Sequence, residues 1–234
     1  MRLDGVGSQP ITTSSTPRGT VLFADLRGYT GMAERLRPFH LAALLDEYFN
    51  ILTQATENHS GRVYHTAGDS LMAGFGVSDR IHDGSEQALA AGRSMLRRFA
   101  VLTERWRHEA QIESGLGIGL HLGEVALATF GPPNRRIQTL VGDTANVAAR
   151  LCSRARAGEV LFSGTVATAL RDRALVDGAF LQLPRYEMRG RREPLDIWCI
   201  PASRREPMPG FELTAAERWQ WPAAPLAEAV RKRS

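Results

Sequence analysis

Cysteine is nearly absent from this chain: 234 residues carry two, Cys152 and Cys199. They form neither a metal-ligand spacing nor a disulfide framework, so crosslinks are excluded as a source of stability and a reducing, cytoplasmic setting is expected. No run approaches about 18 consecutive apolar residues, which argues against a membrane-spanning helix. The opening MRLDGVGSQPITTSSTPRGT has no apolar stretch of the kind a secretory leader needs, and residues 1–18 read as a flexible lead-in. A stripe of like charge is also lacking. The net charge is +4 and the pI about 9.6, but the arginines are dispersed over RSMLRRFAVLTERWRHE, RGRRE and RKRS. Solvated helix faces account for most of them, so no nucleic-acid partner is expected. There is no internal repeat.

What the chain does have is apolar residues, 43% of the total, enough to bury a sizeable core. TVLFADL, Thr20 to Leu26, reads as a buried strand ending on Asp25. From about Gly31 to Asn58 apolar residues recur at helical spacing, and Pro38 lies early enough to start a new helix. HSGRVYH and SLMAGFG flank a Gly-Asp turn as a hairpin, and a long amphipathic helix follows from about Gly84 to Ala110. SGLGIGLHLGEVALATFG reads as two strands meeting at Leu122-Gly123. Asp143 to Arg156 reads as a helix, GEVLFSG as a strand, and LPRYEMRGRREPLDIWCIP as a closing strand pair. Residues 201–234 read as an appendage in which Trp219 and Trp221 dock on the domain. Helices interleaved with hairpins predict an α+β fold with a mainly antiparallel sheet.

Two carboxylates stand out. Asp25 ends a strand and Asp69 occupies a hairpin turn, and the two elements can lie side by side in one sheet. Neighbouring carboxylates are costly unless a cation neutralises them, and hard oxygen ligands suit Mg²⁺ or Mn²⁺. Gly28 and the amides of Tyr29 and Thr30 would let backbone approach phosphate oxygens closely. In LVGDTANVAARL, Asn146 and Arg150 lie four apart on one helix face, as a clamp for an oxygen that gains charge in a transition state.

In order, VLFADLRGYTGMAERL, HTAGDSLMAGFG, GLGIGLHLGEV and LVGDTANVAARL resemble the catalytic domain of a class III nucleotidyl cyclase, over about residues 19 to 200. The resemblance implies a ferredoxin-like βαββαβ core, related to polymerase palm domains, and a homodimer whose active sites draw on both protomers. It implies two Mg²⁺ or Mn²⁺ ions per site, held by Asp25 and Asp69 with the Leu26 carbonyl as an added ligand. These would bind a nucleoside triphosphate and activate the ribose 3′-hydroxyl to attack the α-phosphorus, releasing pyrophosphate. Asn146 would orient the ribose and Arg150 stabilise the α-phosphate, both from the partner protomer. Arg189 matches the cationic phosphate-binding position, with Arg191 a close rival.

The chain departs from the family pattern at the base. Where purine-specific members carry lysine or glutamate, four positions before the hairpin aspartate, this chain has His65, and the second base-reading position is Thr139. A neutral imidazole, with one donor and one acceptor, would serve as a donor to adenine N1, as in an adenylate cyclase making cyclic AMP. Its bulk near the backbone also shortens the pocket, and that tips the expectation toward a pyrimidine, UTP or CTP. The resemblance would then point to stand-alone cyclases of anti-phage signalling that make cyclic UMP or cyclic CMP. Gly117 lies where some members carry a phosphate-binding arginine, so that contact is expected to be missing, and His121 is expected to be a sheet residue. A degenerate nucleotide-binding regulatory domain would be expected to have lost some of Asp25, Asp69, Asn146 and Arg150. A diguanylate-cyclase-like domain would need a Gly-Gly-Asp/Glu-Glu-Phe hairpin, which TAGDSLM is not.

Overall fold

Alternation along RGTVLFADLR sets the layering of the sheet. The computed structural model describes residues 17–77, 82–171 and 180–201. The lead-in up to residue 16 and the Trp219–Trp221 tail lie outside the described residues. In β1 (Arg18–Arg27), Leu22, Ala24 and Leu26 enter the main core, while Val21 and Phe23 face the opposite side of the sheet. Asp25 and Arg27, in step with Val21 and Phe23, fall on that second face. Then follow α1 (Tyr29–Arg35), α2 (Pro38–Glu57), β2 (Arg62–Ala67), β3 (Ser70–Phe75), α3 (Ser85–Ala110) and β4 (Gly115–Glu124). The chain continues through β5 (Ala126–Phe130), β6 (Ile137–Val141), α4 (Asp143–Arg154), β7 (Val160–Ser163), α5 (Gly164–Arg171), β8 (Leu181–Gln182) and β9 (Ile197–Ile200).

The main sheet runs β2-β3-β1-β4-β7-β9-β8, and β5 with β6 forms a separate two-stranded arm. Its first four strands, with α1/α2 and α3 as crossovers, are the βαββαβ arrangement, and β4–β7 is its one parallel pairing. The α+β expectation holds.

Helices α2 and α3 cover one face. Pro38 opens α2, where a missing amide hydrogen costs nothing, and Leu44, Tyr48, Ile51, Leu52 and Ala55 form its buried stripe. Burying each of the larger side chains contributes about 1.5–3 kcal/mol. On α3, Met95, Phe99, Leu102 and Trp106 answer them, and Trp106 Nε1 donates to the buried Glu47 at 3.1 Å, which also pairs with Arg105.

The second face is covered by α4, at very close range, and beside it by Leu127 and Leu140 of the β5–β6 arm, which pack with Val21 and Met72. On β4 the residues facing it are Gly117, Gly119, His121 and Gly123, while Leu116, Ile118, Leu120 and Leu122 fill the main core. A Cβ placed on Gly119 would overlap the backbone of Ala148 and Cys152, so helix meets strand with no side chain between them. Thr144, which donates to the Glu124 carbonyl at 2.5 Å, pins the other end of the helix.

Three boundaries differ from the sequence expectation, and two elements are additional to it. β1 continues past Asp25 to Arg27, because its ladder with β4 runs on to Arg27↔Gly115. β4 passes through Leu122-Gly123 without a break, since Gly123 and Glu124 still pair with Gly19 and Arg18, and the chain breaks at Val125 instead. The closing pair shrinks to β9 against the two-residue β8, with one isolated bridge, Tyr186↔Leu195. Strand β6 and helix α5 were not anticipated.

Candidate active site

The ladder brings the two aspartates together. Asp25 on β1 is the cross-strand partner of Ser70 on β3, and Asp69 is the residue immediately before Ser70, in the two-residue turn after Gly68. Gly68 adopts φ +59, a left-handed conformation that a side chain would strain. The Tyr48 hydroxyl, buried on α2, donates to the Asp69 carbonyl at 3.0 Å and fixes the turn from beneath. Ser70 Oγ donates to Asp25 Oδ1. Leu26 has a buried side chain in the main core, so only its backbone can face a cation.

Burial, and after it the neighbouring Asp25 carboxylate, raises the Asp69 pKa above its ordinary 3.8. Among the described residues no cluster of three or more His, Cys, Asp or Glu side chains forms a metal cage. Two carboxylates, one near the end of β1 and one in the β2–β3 turn, with the other ligands left to backbone, water and phosphate oxygens, are a donor set that suits Mg²⁺ or Mn²⁺ accompanying a polyphosphate. The residues present therefore fit such ions, which Asp25, Asp69 and the Leu26 carbonyl would hold.

This shift has a testable sign. With its native-state pKa raised, Asp69 resists ionisation, so the stability it contributes is present below its ordinary value and lost as pH rises through the raised one. A divalent cation needs the ionised form. The gain in Tm on adding Mn²⁺ should therefore grow between about pH 4 and pH 7. Thermal melts across that range check it, and Asp69→Asn should flatten the dependence.

Arg27 was missed by sequence reasoning. Its guanidinium donates to Asp25 Oδ2, to the Cys152 carbonyl, and through Nε to the Ala155 carbonyl at 3.0 Å. It lies directly over Gly117, where a Cβ would collide with it. The space at Gly117 is thus not vacant of positive charge; an arginine from the neighbouring strand fills it. The sequence shows only that Arg27 shares a strand face with Asp25; that Gly117 is the cross-strand partner of Asp25 emerges from the fold.

Asn146 and Arg150 occupy a different surface. Thr144, Val147, Ala148, Leu151 and Cys152 are the buried side of α4, whereas Asn146 and Arg150 are exposed on its outer side, turned from their own sheet and from their own Asp25. Arg150 donates to the Arg189 carbonyl, so the outer side of α4 and the cationic loop at 189–192 form one surface. Arg191 is paired with Asp143. His65 is exposed on β2, just past a bulge between Val63 and His65. Its neighbour Tyr64 and Leu140, the neighbour of Thr139, both crowd over Gly74, so the segments carrying the two base-reading candidates adjoin. Gly28, at φ +87, forms the turn into α1 with exposed Thr30 and half-buried Tyr29.

Three other groups are chemically quiet. His121 is buried on β4, where burial and the nearby Arg191 pull its pKa down to about 4, leaving it neutral at ordinary pH. Burial raises Cys152 to about 12 and Cys199 to about 11, so neither is a thiolate. No described helix is long and apolar enough to cross a membrane.

An antiparallel βαββαβ sheet with paired carboxylates at a hairpin turn is the frame of a nucleotide-cyclising domain. Residues 11–201 match the adenylate and guanylate cyclase catalytic domain, and the chain belongs to that family. It is similar to the adenylyl cyclase CyaB from P. aeruginosa, at TM-score 0.72 and 26% identity, covering 81% of this chain and 96% of that one. The guanylyl cyclase Cya2 superposes at TM-score 0.68 and 26% identity, over 79% of this chain and 91% of that one. An adenylate cyclase of Anabaena cylindrica is 30% identical over 155 residues, which are 63% of this chain and 29% of that protein. The chain spans less than a third of the length of the curated relatives it matches.

Proposed function

We propose that this chain is an active nucleotidyl cyclase, converting a nucleoside triphosphate to a 3′,5′-cyclic nucleotide and pyrophosphate, with each active site shared between two copies. The observation that carries the reading is the division of the site residues between two surfaces: Asp25 near the end of β1 with Asp69 in the adjoining hairpin turn, and Asn146 and Arg150 on the outward side of α4. In this reading two copies in head-to-tail register bring the two surfaces together on one substrate. Exposed Phe130, Ile137 and Val141 on the β5–β6 arm supply apolar area for that contact.

Within such a site, divalent ions would neutralise the triphosphate and favour the ionised 3′-hydroxyl. Asp25 and Asp69 hold them, and the Gly28 turn lets the backbone approach the β- and γ-phosphates. The partner's α4 residues would act on the other side, Asn146 orienting the ribose and Arg150 meeting charge that grows on the α-phosphate. Arg189 carries the phosphate-binding role ahead of Arg191, whose guanidinium is committed to Asp143. Residues 19–200 form the catalytic unit in this reading, and residues 201–234 are an appendage to it.

For the base, the names of relatives favour ATP: proteins from Anabaena cylindrica and Rhizobium meliloti among them are adenylate cyclases. In that case His65 donates to adenine N1. The His65/Thr139 pair favours a pyrimidine instead, with a product such as cyclic UMP and a place in anti-phage signalling. That reading rests on these two residues alone. Incubation with each of the four nucleoside triphosphates and Mn²⁺, with cyclic products separated and identified, tests the activity and decides the base. His65→Ala should lower discrimination among the nucleotides by about one to two orders of magnitude in kcat/KM. His65→Lys should shift a pyrimidine cyclase toward ATP. Unchanged selectivity in both variants would show that His65 does not meet the base, and absence of any cyclic product would overturn the cyclase reading.

A further inference from the structure

We propose that Arg27 is a positioning residue that ties the metal ligand Asp25 to the carboxyl end of α4, and so couples the two active sites of the dimer. The inference rests on the shared-site reading above. Its physical basis is one guanidinium with its donors spent in two directions. One nitrogen faces the Asp25 carboxylate, and the others face the Cys152 and Ala155 carbonyls at the end of α4, the first of which also accepts the Ala155 amide at 3.0 Å. A cation at a helix carboxyl end is favoured by the aligned peptide dipoles, and here the same cation neutralises a carboxylate. Glycine at position 117 makes this possible, since any side chain there would occupy the guanidinium's place.

The two ends of this contact belong to different reactions. Asp25 serves the site built on its own chain, whereas the α4 that Arg27 caps carries Asn146 and Arg150 for the site built on the partner. A shift of the Asp25 carboxylate on engaging a divalent ion would alter the pull on α4, and the placement of α4 would alter the charge balance at Asp25. With no side chain between α4 and β4 at Gly119, little stands between such a pull and the helix backbone.

The test uses assembled dimers. A mixed dimer of Asp69→Ala and Arg150→Ala chains retains one complete site: the α4 surface of the first chain and the carboxylates of the second. Activity of that mixture establishes the shared site; an inactive mixture removes that reading and this proposal with it. Arg27→Met is then added to the Asp69→Ala chain, whose own metal site is already dead. Turnover at the surviving site should fall by about tenfold, because only α4 has lost its anchor. Unchanged turnover in that arrangement overturns the proposal while the shared-site reading stands.

A second readout needs no turnover. Calorimetric titration of the nucleotide-free Arg27→Met homodimer with Mn²⁺ should show affinity raised by about three- to tenfold, because an internal cation no longer competes for Asp25. Arg27→Lys keeps a positive charge, but its compact ammonium cannot span a carboxylate and two carbonyls. It should restore the Mn²⁺ affinity without restoring kcat, and it carries the test if Arg27→Met does not fold. Wild-type kcat in Arg27→Lys, or Mn²⁺ affinity unmoved in Arg27→Met, counts against the proposal.

Discussion

Asp25→Ala and Asp69→Ala should each lower turnover by about a thousandfold or more while leaving a folded dimer. The argument has two halves. Chemically, each substitution removes one of the two carboxylates available to a divalent ion, and no third acidic or histidine ligand stands by among the described residues to replace it. Structurally, neither side chain is part of the core: both are partly exposed, and the core residues around them are Leu26, Leu71 and Tyr48. Asp69→Ala also removes a carboxylate whose burial, and after it repulsion from Asp25, raise its pKa, so its metal-free melting temperature should equal or exceed that of the parent. Asp25→Ala leaves the Arg27 guanidinium without its carboxylate, and a modest drop is expected there. Turnover with Mn²⁺, melting curves and size-exclusion profiles for both variants check the prediction. Near-parental activity in either one would remove the two-metal assignment.

The second large effect is a recovery. Asp25→Ala and Arg150→Ala chains should each be inactive alone, and an equal mixture allowed to exchange should regain about a quarter of parental activity. Random exchange makes half the dimers mixed, and one of the two sites in each mixed dimer has both halves intact. The expectation rests on Arg150, which stands on the outward side of α4, bonded to the Arg189 carbonyl and facing away from Asp25 of its own chain. Native mass spectrometry of the mixture would show that exchange took place. Mixed dimers that form and stay inactive would mean that each chain closes its own site.

Much of this was legible in the residues, and the parts that were not share a cause. β1 and the second strand of the hairpin announce themselves because both of their faces are buried, which writes the continuous apolar runs Val-Leu-Phe-Ala and Leu-Met-Ala-Gly-Phe into the sequence. Strand β6 carries no such mark: Ile137, Gln138 and Val141 are all exposed and only Leu140 is fully buried, so Ile-Gln-Thr-Leu-Val gives no alternation to read. Helix α5 is eight residues long and opens Gly-Thr-Val, two of them β-branched, which argues locally for strand; packing of Val166, Ala167 and Leu170 into the core decides otherwise. In the site, Asp25, Asp69, Asn146 and Arg150 could be chosen from residue type and spacing. Arg27 could not, since its role depends on carbonyls 125 and 128 positions away that only the fold brings to it.

The bare contact at Gly119 has a consequence for how such a chain can change. Most helices ride on a cushion of side chains that can be re-cut, one methyl group at a time, to absorb a mutation elsewhere. Here α4 has a hard seat, a datum surface in the machinist's sense, where backbone rests on backbone. Anything that lifts the seat displaces Asn146 and Arg150 on the far side by the full amount, with no layer to take up the error. The outer residues of the helix, by contrast, can be exchanged without disturbing the seat. New chemistry on this scaffold should therefore come cheaply from the outside of α4 and almost never from beneath it.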